Sequence, residues 1–491
     1  MAATIGAADA PQHPIEAPPA REIERRSIDW VPEGERHGRL WHQAPLWFLG
    51  NFQYFSIPIG FIGPALGLSL GWTIIAGTLG ILVGTLFMAF HATQGPRLGL
   101  PQMIQSRAQF GYRGVLVPLF ATLFTYVAFN VADQVLMSQG LNAAFGWSAD
   151  LVAIVIAILA AVIAIWGHDW VHRVFRGILI FSLPVVTILT LGVIFGLANG
   201  HAPSQHLGFV FSAFMAQFSA AAAYNITYAP YVSDYSRYLP ATTPARKVIG
   251  SVFFGAATSP IWLIALGAWM AIRLGATDGL LGTKLAGNNI FDPLGTVAAF
   301  LLAAGLAATM GMNAYGGMLS LLTGIDSVKS IRPNRAARVI SILVLTVVWY
   351  VIAQSISASA VATVLNSLTL MLYLLVPWTA TNLVDFFLVR RGHYAIAHLF
   401  TPTGIYGAWG WRGLTAYGLG FAAEIPFMVL PGIAGFEYTG PVAKQISGVD
   451  ISWLVGLTVS GVAYWLLSRS LNMRAEAAAI EASDQELEAA T

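Results

Sequence analysis

Two carboxyl groups lie within long apolar stretches of the chain, those of Asp133 and Glu424. Titratable side chains are rare at membrane depth, and there they commonly belong to proton or ion pathways. Asp133 lies three residues after Asn130 and on the same helical face. Two interpretations of Asp133 remain open, a reversibly protonated carboxyl and a structural aspartate near the outer end of its helix. For Glu424 the pattern favours a structural role.

Aromatic rings and an amide precede Asp133 in the same stretch. Tyr126 and Asn130 are four residues apart and share a helical face, and Phe129 lies beside them as a second ring. A pocket for a flat heterocycle needs a ring to stack on and an amide to bind its polar edge. The same side chains could instead only join one membrane helix to another. The residue types alone favour this packing role slightly.

Two other apolar stretches combine polar residues with glycine and proline. They run from Trp47 to Gly67 (WFLGNFQYFSIPIGFIGPALG) and from Gln217 to Pro240 (QFSAAAAYNITYAPYVSDYSRYLP). Their candidate polar residues are Asn51, Gln53, Ser56, Tyr224 and Asn225. Transporters built from inverted repeats often break the first helix of each repeat, which frees backbone groups for substrate and ion. Glycine and proline are also common in ordinary membrane helices, so both interpretations stand.

The elements that carry these residues are predicted to be membrane helices. Hydrophobic residues make up 56% of the 491 positions and charged residues 10%, and the mean hydropathy is +0.68. About 20 apolar residues cross a bilayer, and twelve such segments occur, named here spans 1 to 12. They are 46–70, 72–92, 115–140, 149–167, 177–198, 208–232, 248–272, 295–322, 338–356, 362–388, 413–433 and 451–468.

Charge places these spans in a membrane with both termini in the cytoplasm. With that orientation, 22 of the 25 lysines and arginines lie on the cytoplasmic side, as the positive-inside rule requires. The polar tail 1–44 has no apolar core and is not a signal peptide, and a second tail follows at 471–491. We expect a multi-pass protein of the cell (inner) membrane. The net charge of +2 argues against a nucleic-acid partner, and the absence of cysteine leaves no zinc or redox motif.

Four separated motifs resemble those of the nucleobase:cation symporter 1 family, purine/cytosine permease branch. They are PRLGLPQMIQSRAQFGYRG (Pro96 to Gly114), WGHDWVHR (Trp166 to Arg173), SDYSRYLP (Ser233 to Pro240) and PWTATNLVDFFLVRRGHY (Pro377 to Tyr394). The resemblance covers about 40–470. It implies an all-α fold with a five-plus-five inverted-repeat (LeuT-like) core and two extra helices. The first repeat would occupy 45–198, the second 208–390 and the extra helices 411–470.

The resemblance also implies a function and a site. The substrate, such as cytosine, a purine, allantoin or a hydantoin, would lie between spans 1, 3, 6 and 8 and enter with Na⁺ or H⁺. Tyr126 and Asn130 look like the family's aromatic–amide pair, although many members have tryptophan at the aromatic position. Asn313, in TMGMNAYGG, looks like the family's substrate-binding asparagine, and it could alternatively join helices. Tyr224 and Asn225 would lie where the unwound part of span 6 meets the substrate.

The coupling ion is predicted to be a proton rather than sodium. Sodium-coupled relatives use two hydroxyl residues on span 8 where this chain has Ala307 and Ala308, which leaves Thr309 one position later. A hard cation needs several oxygen ligands, so this loss weakens a sodium site even if Ser56 contributes. Asp133 would then carry the proton. The alternative is a Na⁺-coupled carrier of allantoin, a hydantoin or a vitamin-precursor ring.

Charged residues outside the spans suggest a gate. The candidates are Asp234, Arg237 and Arg107. Ion pairs among them would close the cytoplasmic side, although such charges can also only set the topology. His168, Asp169 and His172 have metal-like spacing, but no further ligand is near in the sequence, so we expect neither a metal site nor a cofactor. The polar residues form neither the catalytic cluster of an enzyme nor the continuous stripe of a channel.

Overall fold

The structure is a computed structural model that describes residues 27–198, 207–331, 334–356, 359–433 and 436–489. Ten helices precede residue 198. They are α1 (Gln43–Asn51), α2 (Ser56–Ile59), α3 (Ile62–Ala65), α4 (Leu70–His91), α5 (Gln94–Leu98), α6 (Gln102–Gln105), α7 (Arg107–Phe110), α8 (Leu116–Phe145), α9 (Ala149–Trp166) and α10 (His168–Ile194).

Seven further helices form the second half of the core. They are α11 (Phe211–Ile226), α12 (Ala229–Ser236), α13 (Ala245–Trp269), α14 (Gly279–Asn288), α15 (Leu294–Val328), α16 (Arg335–Gln354) and α17 (Ala360–Val384). The C-terminal part follows. It contains α18 (Trp411–Glu424), β1 (Val429–Ile433), β2 (Phe436–Thr439), α19 (Pro441–Gln445), α20 (Ser452–Ser468) and α21 (Met473–Ala489).

Spans 1 and 6 are interrupted. Span 1 consists of α1, α2 and α3: the backbone leaves the helical path after Asn51, at Phe52, and two turn residues separate α2 from α3 after Ile59. Pro58 and Pro64 cannot donate a backbone hydrogen bond, so a continuous helix is disfavoured there. Span 6 ends as α11 at Ile226 and resumes as α12 at Ala229. Both breaks lie deep in the protein, where the ends of the helix pieces are available to other groups.

Eight helices in the described residues are individually long and apolar enough to cross a membrane, or nine if the bent pair α20 and α21 is taken as one. Spans 1, 6, 11 and 12 correspond to broken or shorter helices, so the count of twelve stays a prediction. Helix α8 is span 3, and helix α15 is span 8. These two helices pack against each other in the centre of the molecule.

One local prediction needs correction. Span 11 ends at Glu424 rather than at residue 433, because Pro426 follows and the chain then forms the antiparallel pair β1–β2. The motif at Trp166 to Arg173 spans the junction of α9 and α10, which are separated by Gly167 alone, with φ +86°. The described part of the C-terminal tail forms α21.

Small residues allow helices of the two halves to approach closely. A Cβ on Gly80 of α4 would lie 2.2 Å from the carbonyl oxygen of Phe218 on α11, and one on Gly84 would lie 2.2 Å from that of Ala222. Such small-residue contacts are how membrane helices associate without a hydrophobic drive between them. Helix α4 therefore fixes the position of α11, whose last turn carries Tyr224 and Asn225.

Candidate functional site

A hydrogen-bonded group of three polar residues joins α8 to α15. The Nδ2 of Asn313 donates to Oδ1 of Asn130 at 2.8 Å and to Oδ2 of Asp133 at 3.1 Å. Asn130 in turn donates to the carbonyl oxygen of Met310 at 3.2 Å. All three side chains are at most 1% exposed. Asp133 is thus buried and paired rather than open to water at the end of its helix.

An aromatic cluster, defined as Phe55, Phe129, Tyr224 and Tyr228, joins the two broken spans to α8. The rings of Phe55 and Tyr224 stack with centroids 5.2 Å apart and planes 13° apart, and those of Phe129 and Tyr228 stack at 5.3 Å and 22°. Phe55 meets Phe129 edge-on at 5.6 Å. Phe55 and Tyr228 are not among the site residues predicted from the sequence. Their position at the breaks of spans 1 and 6 is the signal that could have found them.

Gln53 and Ser56 hold Tyr224 against the first break. The Nε2 of Gln53 donates to the Tyr224 hydroxyl at 2.9 Å, and the Ser56 hydroxyl bonds the same oxygen at 3.2 Å and the Asn51 carbonyl at 2.6 Å. The backbone N–H of Phe55 donates to Oε1 of Gln53 at 2.5 Å. The interrupted segment is therefore held by side-chain hydrogen bonds in addition to a few short-range backbone ones.

Asn51 and Asn225 bond to each other instead of lining the aromatic cluster. The Nδ2 of Asn51 donates to Oδ1 of Asn225 at 2.8 Å, and Asn225 donates to the Thr85 hydroxyl at 2.5 Å. Both amides also donate to the carbonyl oxygen of Ala256 on α13, at 2.8 Å and 3.0 Å. These contacts fasten the two broken spans to α4 and α13. Substrate binding by these two residues stays a prediction.

Tyr126 lies one turn before Asn130 and faces the broken part of span 6. Its ring centroid is 4.3 Å from that of Tyr231, and its hydroxyl lies 3.3 Å from the Pro230 carbonyl and 3.4 Å from Oδ2 of Asp234. A Cβ on Gly316 would lie 2.4 Å from the Tyr126 ring, so α15 needs glycine there. Tyr126 thus links the predicted substrate region to the predicted gate.

Thr309 bonds within its own helix. Its hydroxyl donates to the Gly305 carbonyl at 3.1 Å, one turn earlier in α15. Ala307 and Ala308 beside it are buried and carry no side-chain oxygen. This turn of α15 therefore offers few side-chain oxygen ligands for a cation.

The gate candidates are buried and bonded. The backbone N–H of Gln102 donates to Oδ1 of Asp234 at 2.9 Å. Arg237 donates to the carbonyl of Ser27 at 2.6 Å and lies 3.3 Å from the Tyr315 hydroxyl. These contacts connect α12 to the α5–α6 segment, to α15 and to the N-terminal residues.

Arg107 forms a separate ion pair. Its guanidinium lies 2.8 Å from Oδ2 of Asp326 and stacks 4.2 Å above the ring of Tyr112. The same guanidinium donates to the Leu399 carbonyl at 3.1 Å. Arg107 therefore fastens the end of α15 to neighbouring segments through partners other than Asp234.

A segment of residues 27–38, named here the N-terminal strap, lies over the face that carries the gate candidate Arg237. Val31 donates its N–H to Gly99 at 2.9 Å, Arg36 donates to the Pro96 carbonyl at 2.7 Å, and Gly38 donates to the Tyr238 carbonyl at 2.8 Å. Desolvation by burial lowers the pKa of Arg36, and the charge of Glu33 partly offsets that shift. The strap bridges the segment after α4 and the segment after α12.

Comparison with known proteins identifies the family of this chain. Residues 30–456 match the family described as "Permease for cytosine/purines, uracil, thiamine, allantoin". The chain belongs to this family. It is 34% identical over 451 residues to the putative purine-cytosine permease YxlA of Bacillus subtilis, covering 91% of this chain and 96% of the relative. The allantoin permease of B. subtilis is 25% identical, with 90% and 92% covered.

Solved structures show the same fold. The chain superimposes on Mhp1, a nucleobase-cation-symport-1 family transporter in a closed conformation with bromovinylhydantoin bound, with a TM-score of 0.70 at 15% identity, covering 90% of this chain and 94% of Mhp1. Inward-facing Mhp1 gives 0.65 at 16% identity, with 92% and 94% covered. The predicted LeuT-like inverted-repeat fold is confirmed. The protein is a multi-pass membrane permease and not an enzyme.

Proposed function

We propose that the protein is a secondary active transporter that takes up a nucleobase of the cytosine or purine type by cation symport. The proposal is supported by the family, whose description names cytosine and purines, and by relatives named as purine-cytosine permeases. The aromatic cluster offers ring faces, and the buried amides offer donors and acceptors for a flat heterocycle. The substrate would lie between spans 1, 3, 6 and 8 and cross by alternating access.

The observation that carries the mechanism is the contact between Asn313 and Asp133. Asn313 uses its Nδ2 for both Asn130 and Asp133, and its Oδ1 accepts no hydrogen bond from the residues that the structure describes. This oxygen can accept a ring N–H or an exocyclic amino group. A nucleobase and the carboxyl would then share one amide.

The shared amide supports proton coupling. An ionised Asp133 is an acceptor only, so Asn313 must turn its N–H toward it. A protonated Asp133 can donate instead, which releases or reverses the Asn313 amide and changes what Asn313 presents to the substrate. The protonation of Asp133 and the affinity for the substrate are therefore linked in both directions. We place the proton on Asp133, with Thr309 and Ser56 as the remaining candidate hydroxyls for an ion.

The gate is proposed to work through Tyr126 and α12. Tyr126 lies on α8 with Asn130, and its hydroxyl reaches Asp234 on α12. A movement of α8 caused by a change at the Asn130 amide would therefore act directly on α12. Opening toward the face predicted to be cytoplasmic would break the contacts of Asp234 with Gln102 and of Arg237 with Ser27. Loss of either contact should favour the open state.

Uptake by Asp133→Asn protein in proteoliposomes tests the mechanism. We expect uphill uptake driven by a pH gradient to fall at least about 5-fold, the lower end of typical coupling free energies, while exchange of internal for external substrate continues. Asp150→Asn, at an exposed position in the first turn of α9, is the matched control. Undiminished pH-driven accumulation by Asp133→Asn would remove Asp133 from the coupling step.

A second candidate function is a Na⁺-coupled carrier of allantoin, a hydantoin or a vitamin-precursor ring. It is favoured by the similarity to an allantoin permease and by the fold shared with a hydantoin-bound transporter. Uptake of cytosine, adenine, hypoxanthine, uracil, allantoin and a hydantoin, each with Na⁺ and with choline, separates the two. We expect uptake of cytosine or a purine without a sodium requirement. Sodium-dependent uptake of allantoin or a hydantoin alone would establish the second function.

A further inference from the structure

Glu424, at the end of α18, is a carboxyl outside the substrate core whose surroundings are unusual. Its side chain is 0% exposed, and neither of its oxygens has a hydrogen-bond partner in the described part of the chain. Its Oε1 lies 1.7 Å from the place that a Cβ on Gly456 of α20 would take. The glycine therefore leaves room for the carboxyl, and the two helices enclose it.

One turn away, the same kind of contact occurs with the roles of the two helices exchanged, so that a glycine of α18 faces a polar side chain of α20. The hydroxyl of Ser460 on α20 lies 1.7 Å from the place of a Cβ on Gly420 of α18, and it too lacks a partner among the residues described. The carbonyl oxygen of Gly456 is 3.2 Å from the same point. One carboxyl, one hydroxyl and one carbonyl thus lie on facing turns of α18 and α20, in a region named here the Glu424 niche.

The other ionisable groups near the niche do not supply a positive charge. Asp450 is the carboxyl whose charge acts on Glu424. It has its own partners, namely the Tyr373 hydroxyl, the backbone N–H of Val429 at 3.0 Å and Ser452. The Tyr417 hydroxyl donates to the Leu374 carbonyl at 2.9 Å. An ionised Glu424 would therefore be repelled by the charge of a second carboxyl, that of Asp450.

We propose that Glu424 binds a proton, as a second protonation site that lies between α18 and α20 and outside the two repeats. An unpaired carboxylate is unstable in a dry interior, whereas a carboxylic acid there can donate to a neighbouring carbonyl or hydroxyl. A metal cation fits less well, because hard cations such as Ca²⁺ take roughly 6–8 oxygen ligands. The proton is held in the folded state, in which the two helices are packed, and is released on unfolding.

Thermal unfolding of the full chain in detergent tests this site without any transport assay. The folded state binds a proton at Glu424 that the unfolded state releases above the ordinary range of a glutamate, so this carboxyl makes the protein less stable as pH rises. Glu424→Gln mimics the neutral acid and removes that dependence. Between about pH 5 and about pH 8, we expect Tm of Glu424→Gln to gain about 2 °C or more over the unsubstituted protein.

Glu437→Gln, at an exposed position in β2, is the matched control and should show no such gain. A difference between Glu424→Gln and the unsubstituted protein that is constant with pH would overturn the proposal. So would stabilisation by Na⁺ over choline that Glu424→Gln abolishes, because the niche would then hold a metal cation.

Labelling gives an answer even if Glu424→Gln fails to fold. Lipophilic carbodiimides react with protonated carboxyls, and mass spectrometry of the unsubstituted protein reports which residue is labelled. Labelling of Glu424 at acidic pH that declines at alkaline pH supports the site, and absence of labelling at both overturns it. Neither outcome bears on uptake, so failure here is distinguishable from failure of the proposed transport function.

Discussion

At the scale of single residues, one asparagine amide contacts the residues proposed for the two chemical tasks of the site. Asn313 contacts Asn130, the predicted edge-binding amide, and Asp133, the predicted proton carrier. A buried donor that serves two acceptors leaves both unsatisfied when it is removed, at about 1–3 kcal/mol for each group. Substitution at any of the three positions should therefore affect the other two.

A double-mutant cycle measures this connection. We expect Asn313→Ala to weaken substrate binding, and the effect of adding Asp133→Asn to differ from the effect of Asp133→Asn alone by about 0.5–3 kcal/mol. Calorimetric or thermal-shift titration with the transported base supplies the four affinities. Asn142→Ala, on the same helix but at an exposed position, should add independently to Asp133→Asn. Additive effects for Asn313 as well would mean that the contact does not couple the two groups.

At the scale of elements, the broken spans are held by helices that approach closely. Helix α4 packs on α11 through glycines, and the paired amides Asn51 and Asn225 fasten both breaks to α4 and α13. The breaks therefore have defined positions although the regular series of helical hydrogen bonds is interrupted there. The stability of this packing and the geometry of the site should change together.

Gly84→Ala tests whether they do. Its Cβ would lie 2.2 Å from a backbone oxygen of α11, so the helix must move, and overpacking of this kind typically lowers stability by about 1–3 kcal/mol. We expect a lower Tm together with a higher KM for uptake, because α11 carries Tyr224. Gly250→Ala on α13, where a Cβ would meet no atom within 4 Å, is the control and should be neutral or slightly stabilising. Unchanged KM despite a lower Tm would separate the packing from the site.

At the scale of the whole molecule, the strap joins segments of both halves at one face. It contacts the segment after α4 through Arg36 and Val31 and the segment after α12 through Gly38. Alternating access requires the two halves to move relative to each other at each face of the membrane. The strap contacts should therefore favour the state in which this face is closed.

Removal of Arg36 should shift that balance. The chain has no cysteine, so Ala229→Cys at the start of α12, buried here, becomes a single reporter of access from this face. We expect Arg36→Ala to raise the rate of labelling of this cysteine by a membrane-impermeant thiol reagent applied to the face predicted to be cytoplasmic. Arg246→Ala, at an exposed position of α13, should leave the rate unchanged. Equal rates for both variants would show that the strap does not restrain the closed state.

Much of this protein follows from its sequence because the relevant signals are local. Hydropathy identifies the membrane stretches, four motifs identify the family, and burial of polar residues in apolar stretches singled out Asn130, Asp133 and Asn313 before any contact was known. Glycine and proline marked both breaks, since each changes the backbone of its own segment. The end of span 11 was missed because hydropathy continues past Glu424 into the strand β1.

Only the tertiary structure decided which of these residues meet. Asn313 and Asp133 are 180 positions apart, and Asn51 and Asn225 are 174 apart, so no local pattern could reveal that the members of each pair are hydrogen-bonded to each other. Phe55 and Tyr228 lie in the aromatic cluster for a related reason. At a helix break, the direction of a side chain is set by the surrounding packing and not by helical periodicity. Sequence determines which groups are buried, and packing determines what each one touches.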